Sequence, residues 1–437
     1  MGKKILILST GDVNGAYEAM YKVAHILKNM GHEVVMCVKH KTKNEEFIKA
    51  YRPNFSTPKK IGVLEKIIAL LKTKFGSDHT KKSIPLQTDK KYSFFSSDEL
   101  NEKINTESLL KTVGFTPDYI FVGMTIDFLN TTDLLNLYSA TKAKIYNITV
   151  DMNHFTGGCH FSWGCEGYIN GCDDNCPAII NKDEKVIAKN NFDKKYENAR
   201  KADFQIIAGS GLTLDQARRS KIYKDQTVIH NINSLIDTNL LNDRNKTIAK
   251  NIFSLSSDKF YILTGALNMD DPRKGFKYLI EALKLLEENT NKELKEKIVL
   301  LVVSNTVNEE FENVSFKKQK IDYIKDYRLL SLLYQAADVF VNTSIEDSGP
   351  MMVSEALACG TPVVGFDTGI ISNMVIDDYN GYKIPMKDIK SLADGIKNIF
   401  DLDQNSYSEF SKNAVKQVQE FSSYEYAEKI FSKILNQ

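Results

Sequence analysis

A chain of 437 residues, 42% hydrophobic and 26% charged, is long enough for two or three domains with separate cores and has the make-up of an ordinary soluble protein. Its formal net charge of +1 argues against nucleic-acid binding, which draws on a basic excess. No apolar run reaches the ~18 residues of a membrane-spanning helix. The first strand starts at Lys4 with no signal peptide ahead of it, so a cytoplasmic protein is expected.

Strand-like apolar runs alternate with helical patterns through most of the chain, which points to parallel sheets covered by helices. Lys4–Leu8 is the first strand. The glycine-bearing turn Ser9 to Ala16 leads into an amphipathic helix from about Ala16 to Met30, closed by Gly31, and then the strand Val34–Val38. From about residue 41 to 117 the alternation breaks and the sequence reads as an insertion. Within it Leu64, Ile67, Ile68, Leu71 and Phe75 share one helical face, and seven lysines against Glu65 and Asp78 between Pro58 and Lys82 give a net +5. Such a helix either packs its apolar stripe on the domain or makes a peripheral contact with an anionic membrane surface.

The strands Tyr119–Val122, Ile145–Val150 and Gln205–Ala208 follow, then a polar stretch, Asp237 to Asp258, that reads as a linker. Beyond it come the strands Tyr261–Gly265, Ile298–Ser304, Val339–Asn342 and Val363–Phe366. The helices Phe276–Glu288, Leu329–Ala336 and Met352–Ala358 separate them. The expected fold is α/β: two Rossmann-like, doubly wound parallel-sheet domains, 1–236 and 237–415, facing a cleft at the carboxyl ends of their strands. A last helix, 416–437, is expected to pack back on the first domain.

The second half carries the chemistry. After the strand Val339–Asn342, the acids Glu346 and Asp347 precede a helix that opens at Gly349-Pro350, with Glu355 one turn in. A helix start beside carboxylates can hold a diphosphate on its amides while the acids grip sugar hydroxyls. The turn Gly265 to Gly275 sets Lys274 at the mouth of the same crevice, where an ammonium can neutralise a departing diphosphate. No Gly-x-Gly-x-x-Gly follows the first strand, which counts against a dinucleotide.

These residues resemble family 4 of the retaining glycosyltransferases, which have the GT-B fold. The likeness is strongest from Thr264 to Pro385. The family's Glu-x7-Glu motif falls on Asp347 and Glu355, so its first acid is here an aspartate one carbon–carbon bond shorter. The resemblance implies a nucleoside-diphosphate sugar as donor and a saccharide or lipid-linked acceptor in surface-polysaccharide synthesis, with no cofactor required for catalysis. It implies that residues 1–236 bind acceptor and 237–415 bind donor. Lys274 and Asp347 become catalytic, and Gly15, Arg273, Lys274, Tyr323, Ile324, Asp347, Ser348, Gly349, Pro350, Met351 and Glu355 bind the donor. Asn268 stands where the family has an arginine, and Asn14 where it has a glycine. Asn231 to Thr238 matches a hinge, and Asp338 reads as structural. The departures at Asp347, Asn268 and Val150 leave as one alternative a sugar-nucleotide-binding subunit without turnover; a second keeps the fold and changes the chemistry, as in a GT-B nucleotide-sugar epimerase.

The segment 151–180 resembles a Cys-rich insertion of a subset of these enzymes, with Val150 in place of that subset's histidine and Asp151 left to orient an acceptor hydroxyl. Cys159, Cys165, Cys172 and Cys176, spaced x5, x6 and x3, can enclose a structural zinc, with His160 or His154 able to replace a thiolate. Two disulfides and free thiols are the other readings, the former disfavoured in the cytosol. Cys37 and Cys359 sit in apolar surroundings and read as packed thiols.

Overall fold

The computed structural model describes residues 2–13, 15–52, 86–95, 98–266, 268–304 and 309–436. The expected basic amphipathic helix within 58–82 and the turn residue Asn14 lie outside them. Strand β1 (Lys4–Ser9) shows how the first sheet is built: Ile5 and Ile7 enter one buried cluster, Leu6 and Leu8 another. A strand apolar on both faces needs cover on both, as parallel sheets wrapped by helices provide.

Among the described residues, β1 is joined by β2 (Glu33–Val38), β3 (Ile48–Ala50), β4 (Tyr119–Val122), β5 (Lys144–Ile148), β6 (Gln205–Ala208) and β7 (His230–Asn231). All pairings are parallel, in the order β3-β2-β1-β4-β5-β6-β7. The second sheet comprises β8 (Phe260–Gly265), β9 (Ile298–Val303), β10 (Lys317–Ile321), β11 (Val339–Asn342), β12 (Val363–Phe366) and β13 (Gly381–Ile384). It too is parallel, in the order β10-β9-β8-β11-β12-β13. Chain direction across each sheet reverses between β1 and β4, and between β8 and β11, so the loops after these strands open a crevice.

Three expectations change. The segment 41–117 is not wholly an insertion: Ile48–Ala50 extends the first sheet as an edge strand, and the helix Thr106–Val113 packs Leu109 and Val113 into its core. The linker holds a helix, Lys246–Ile252, whose Ala249 is buried and whose Lys250 Nζ lies 3.0 Å from Asp338. The return to the first domain falls at Ser422–Ser423, after the helix Gln404–Phe421, rather than at residue 416.

That return is anchored at several points. Ile236 N–H donates to Ser422 O (2.9 Å), and Asn233 Nδ2 donates to Phe421 O (2.6 Å). The helix Tyr424–Leu435 then buries Ala427, Phe431, Ile434 and Leu435 in the first domain's core, with Phe431 edge-on to Phe121 at 5.5 Å.

Candidate active site

Lys274 is set in place by a short turn, Pro272–Lys274, capped by the Asp271 carboxylate on the Arg273 N–H. Gly275 makes this fit: its φ is +63°, and a Cβ there would stand 2.0 Å from Thr343 O, so a larger residue would lift the turn off the end of β11. The Thr343 hydroxyl donates to Lys274 O (3.1 Å), and Ile345 N–H donates to Arg273 O (2.7 Å). Thus seated, Lys274 Nζ reaches Asp347 Oδ2 at 2.5 Å.

Asp347 Oδ1 accepts the Gly349 N–H at 3.1 Å. Burial opposes ionisation of Asp347, but the Lys274 ammonium, this amide and Arg273 outweigh it and hold its carboxyl below the usual range. Ser348, Gly349 and Pro350 lead into the helix Met351–Ala358, and no side chain among the described residues caps its first turn. Its leading amides can therefore receive an anion.

One turn on, Glu355 is buried and accepts from the Tyr334 hydroxyl (2.8 Å). Burial pushes its carboxyl pKa up, with Lys22 and Tyr334 opposing. Lys22, on the first domain's helix Gly15–Asn29, is equally buried and donates to Leu235 O (3.0 Å). Burial lowers the pKa of this ammonium, and Glu355 is the chief group opposing that. Each charge thus favours the other across the domain boundary.

The other expected residues divide. Gly15 opens the helix Gly15–Asn29 at the carboxyl end of β1, with φ +47° that a side chain rarely adopts. Tyr323 is 49% exposed, and Ile324 packs on the second core, both just past β10. Arg273 is bonded to Asp271, which takes its Nε and Nη2 at 3.1 and 2.5 Å, and the guanidinium lies 4.2 Å from the Phe161 ring centroid. Asp151 is buried, with both carboxylate oxygens engaged. Oδ1 accepts the Asn153 N–H (2.8 Å) and Oδ2 lies 2.6 Å from His160 Nδ1. Burial works against its charge, yet His160 holds its pKa below the ordinary value.

The four clustered cysteines are free thiols packed with Tyr92, Phe94 and Trp163. Cys159 and Cys176 are neighbours whose thiols act on each other, which holds the Cys176 pKa below its ordinary value against burial and raises that of Cys159. Cys165 and Cys172 face each other across Gly167. Among the described residues no three or more His, Cys, Asp or Glu side chains are grouped to hold a metal ion. Cys37 and Cys359 are buried thiols, each pushed up to about 12 by burial.

Sequence reasoning missed Lys22, Tyr334 and the segment Phe161–Trp163. Only Lys22 leaves a signal, a lysine beside the buried Val23 and Ala24 of an amphipathic helix.

Residues 246–417 match the family model described as "Glycosyl transferases group 1". An uncharacterized glycosyltransferase of Methanocaldococcus jannaschii is 24% identical over 258 residues, covering 57% of this chain and 63% of that protein. The curated relatives matched are thus spanned over less than two thirds of their own length. Sucrose-phosphate synthase of Thermosynechococcus elongatus superposes with a TM-score of 0.64 at 16% identity, over 100% of this chain and 98% of that one. Anabaena HepE, solved with UDP-glucose, gives 0.61 at 13% identity, over 99% of each chain. At these identities the likeness speaks for the fold. Residues 246–417 are therefore a glycosyl transferases group 1 domain, forming the second half of a two-domain, GT-B-like fold.

Proposed function

We propose that this protein is a retaining glycosyltransferase that moves a sugar from a nucleoside-diphosphate donor to a saccharide or lipid-linked acceptor in surface-polysaccharide synthesis. The observation that carries it is the Lys274–Asp347 pair, at the carboxyl ends of β8 and β11 and at the start of an uncapped helix. The group 1 domain and a neighbour solved with UDP-glucose support the nucleotide-sugar donor.

In this reading the diphosphate lies against the helix start, with Lys274 neutralising the charge that grows as the glycosidic bond breaks. Asp347 addresses the transferred sugar, and Glu355 the ribose hydroxyls. The acceptor hydroxyl enters on the face the leaving phosphate vacates, and that phosphate takes its proton. The acceptor approaches from the first domain. There, a shallow concavity is lined by Phe95, Lys103, Asp127, Asn130, His154 and Lys195. Phe95, 52% exposed, offers a ring face to a sugar.

The test is acceptor-dependent release of nucleoside diphosphate across a panel of uridine and guanosine donors, with the anomeric configuration of the product read by NMR. Lys274→Ala should cost about 10²–10³-fold in kcat. Binding without transfer or hydrolysis on any donor would instead indicate a silent subunit, and donor isomerisation without diphosphate release an epimerase.

A further inference from the structure

We propose that Phe161–Trp163 of the Cys-rich segment is a strap across the cleft and that Glu346 is its receptor, a positioning residue for Asp347 and Lys274 rather than a donor ligand. The proposal rests on the active-site reading above. Glu346 Oε1 accepts the N–H of Ser162 (2.9 Å), the N–H of Trp163 (3.2 Å) and the Ser162 hydroxyl (3.4 Å), all from the other domain. On the opposite flank Phe161 stacks on Arg273. The strap therefore grips the residue directly before each member of the pair, Arg273 before Lys274 and Glu346 before Asp347.

With Glu346 drawn to the strap, Asp347 is turned toward Lys274, and the Ile345–Arg273 backbone bond ties the two loops together. The strap is itself braced. Trp163 Nε1 donates to Lys91 O (2.8 Å), and His160 is held by its N–H on Tyr92 O (3.0 Å) and by Asp151. Trp163 adopts φ +46°, a left-handed turn that brings two consecutive amides onto one oxygen.

Glutamine keeps the Oε1 acceptor and alanine removes it. Glu346→Gln should hold kcat within about threefold, since a neutral acceptor still receives these amides. Glu346→Ala should lose up to about 100-fold in kcat, as expected of a 1 Å misplacement, with the donor KM little changed. Hydrogen exchange at the Ser162 and Trp163 amides should accelerate in Glu346→Ala and not in Glu346→Gln. Phe161→Ala reads the other flank if Glu346→Ala does not fold.

Equal losses in the Gln and Ala variants with a raised donor KM would overturn the proposal and make Glu346 a donor ligand. Wild-type kcat and protection in Glu346→Ala would overturn it too. Lys274→Ala belongs in the same series: if it stays fully active the active-site reading fails, whereas an inactive Lys274→Ala beside a normal Glu346→Ala removes the strap alone.

Discussion

Asp347→Asn removes one charge and keeps the side-chain shape. In the structure Asp347 occupies both groups assigned to the leaving diphosphate, Lys274 Nζ at 2.5 Å and the Gly349 N–H at 3.1 Å. Carboxylate and diphosphate therefore compete for the same donors. A hydrogen bond to a charged partner contributes about 1.5–3 kcal/mol. The side chains of Lys274 and Asp347 are 28% and 14% exposed. Solvent screening at that exposure brings the competition to about 1–2 kcal/mol. At ~1.4 kcal/mol per decade, Asp347→Asn should bind free nucleoside diphosphate about 5–30-fold more tightly. Transfer should move the other way, because the carboxylate that addresses the sugar is gone. Calorimetric titration of both proteins with UDP and GDP reads the first effect, and initial rates read the second. Unchanged or weaker diphosphate binding by the Asn variant refutes the competition.

Glu355 tests the electrostatics by its pH dependence. Its folded pKa is raised above the unfolded one, so the native state holds the proton longer, and this contribution to stability is lost as pH rises through that window. The melting temperature of Glu355→Gln minus that of wild type should therefore climb as pH rises above the ordinary carboxylate range; a constant difference contradicts it. Phe431→Ala opens a cavity where the last helix meets the first domain and should cost about 3–5 kcal/mol in denaturant unfolding. A loss below ~1 kcal/mol would mean the helix Tyr424–Leu435 is not anchored there.

Which elements the sequence disclosed follows from where their stability comes from. β1 and β9 are apolar at nearly every position because both their faces are buried, so they are visible without any partner. β10, with the sequence Lys-Lys-Gln-Lys-Ile, is an edge strand half in solvent, and β3 and β7 are only three and two residues long. Their strand character comes from pairing with a neighbour rather than from their own composition.

The site divides the same way. Lys274, Asp347 and Glu355 stand at fixed offsets from strand ends and a helix start, and local pattern places them. The pairing of Glu346 with Ser162 spans 184 positions, and the electrostatic coupling of Lys22 to Glu355 depends on how two domains meet. Spacing likewise brings four cysteines into one segment without dictating whether their sulfurs converge on a single point.

A structure of the protein with a nucleoside-diphosphate sugar tests the central claim most directly. The account predicts the β-phosphate about 3 Å from Lys274 Nζ and the amides of Gly349 and Met351, with Asp347 released from the lysine and the ribose on Glu355. A donor bound elsewhere, with the Lys274–Asp347 pair intact, would contradict it.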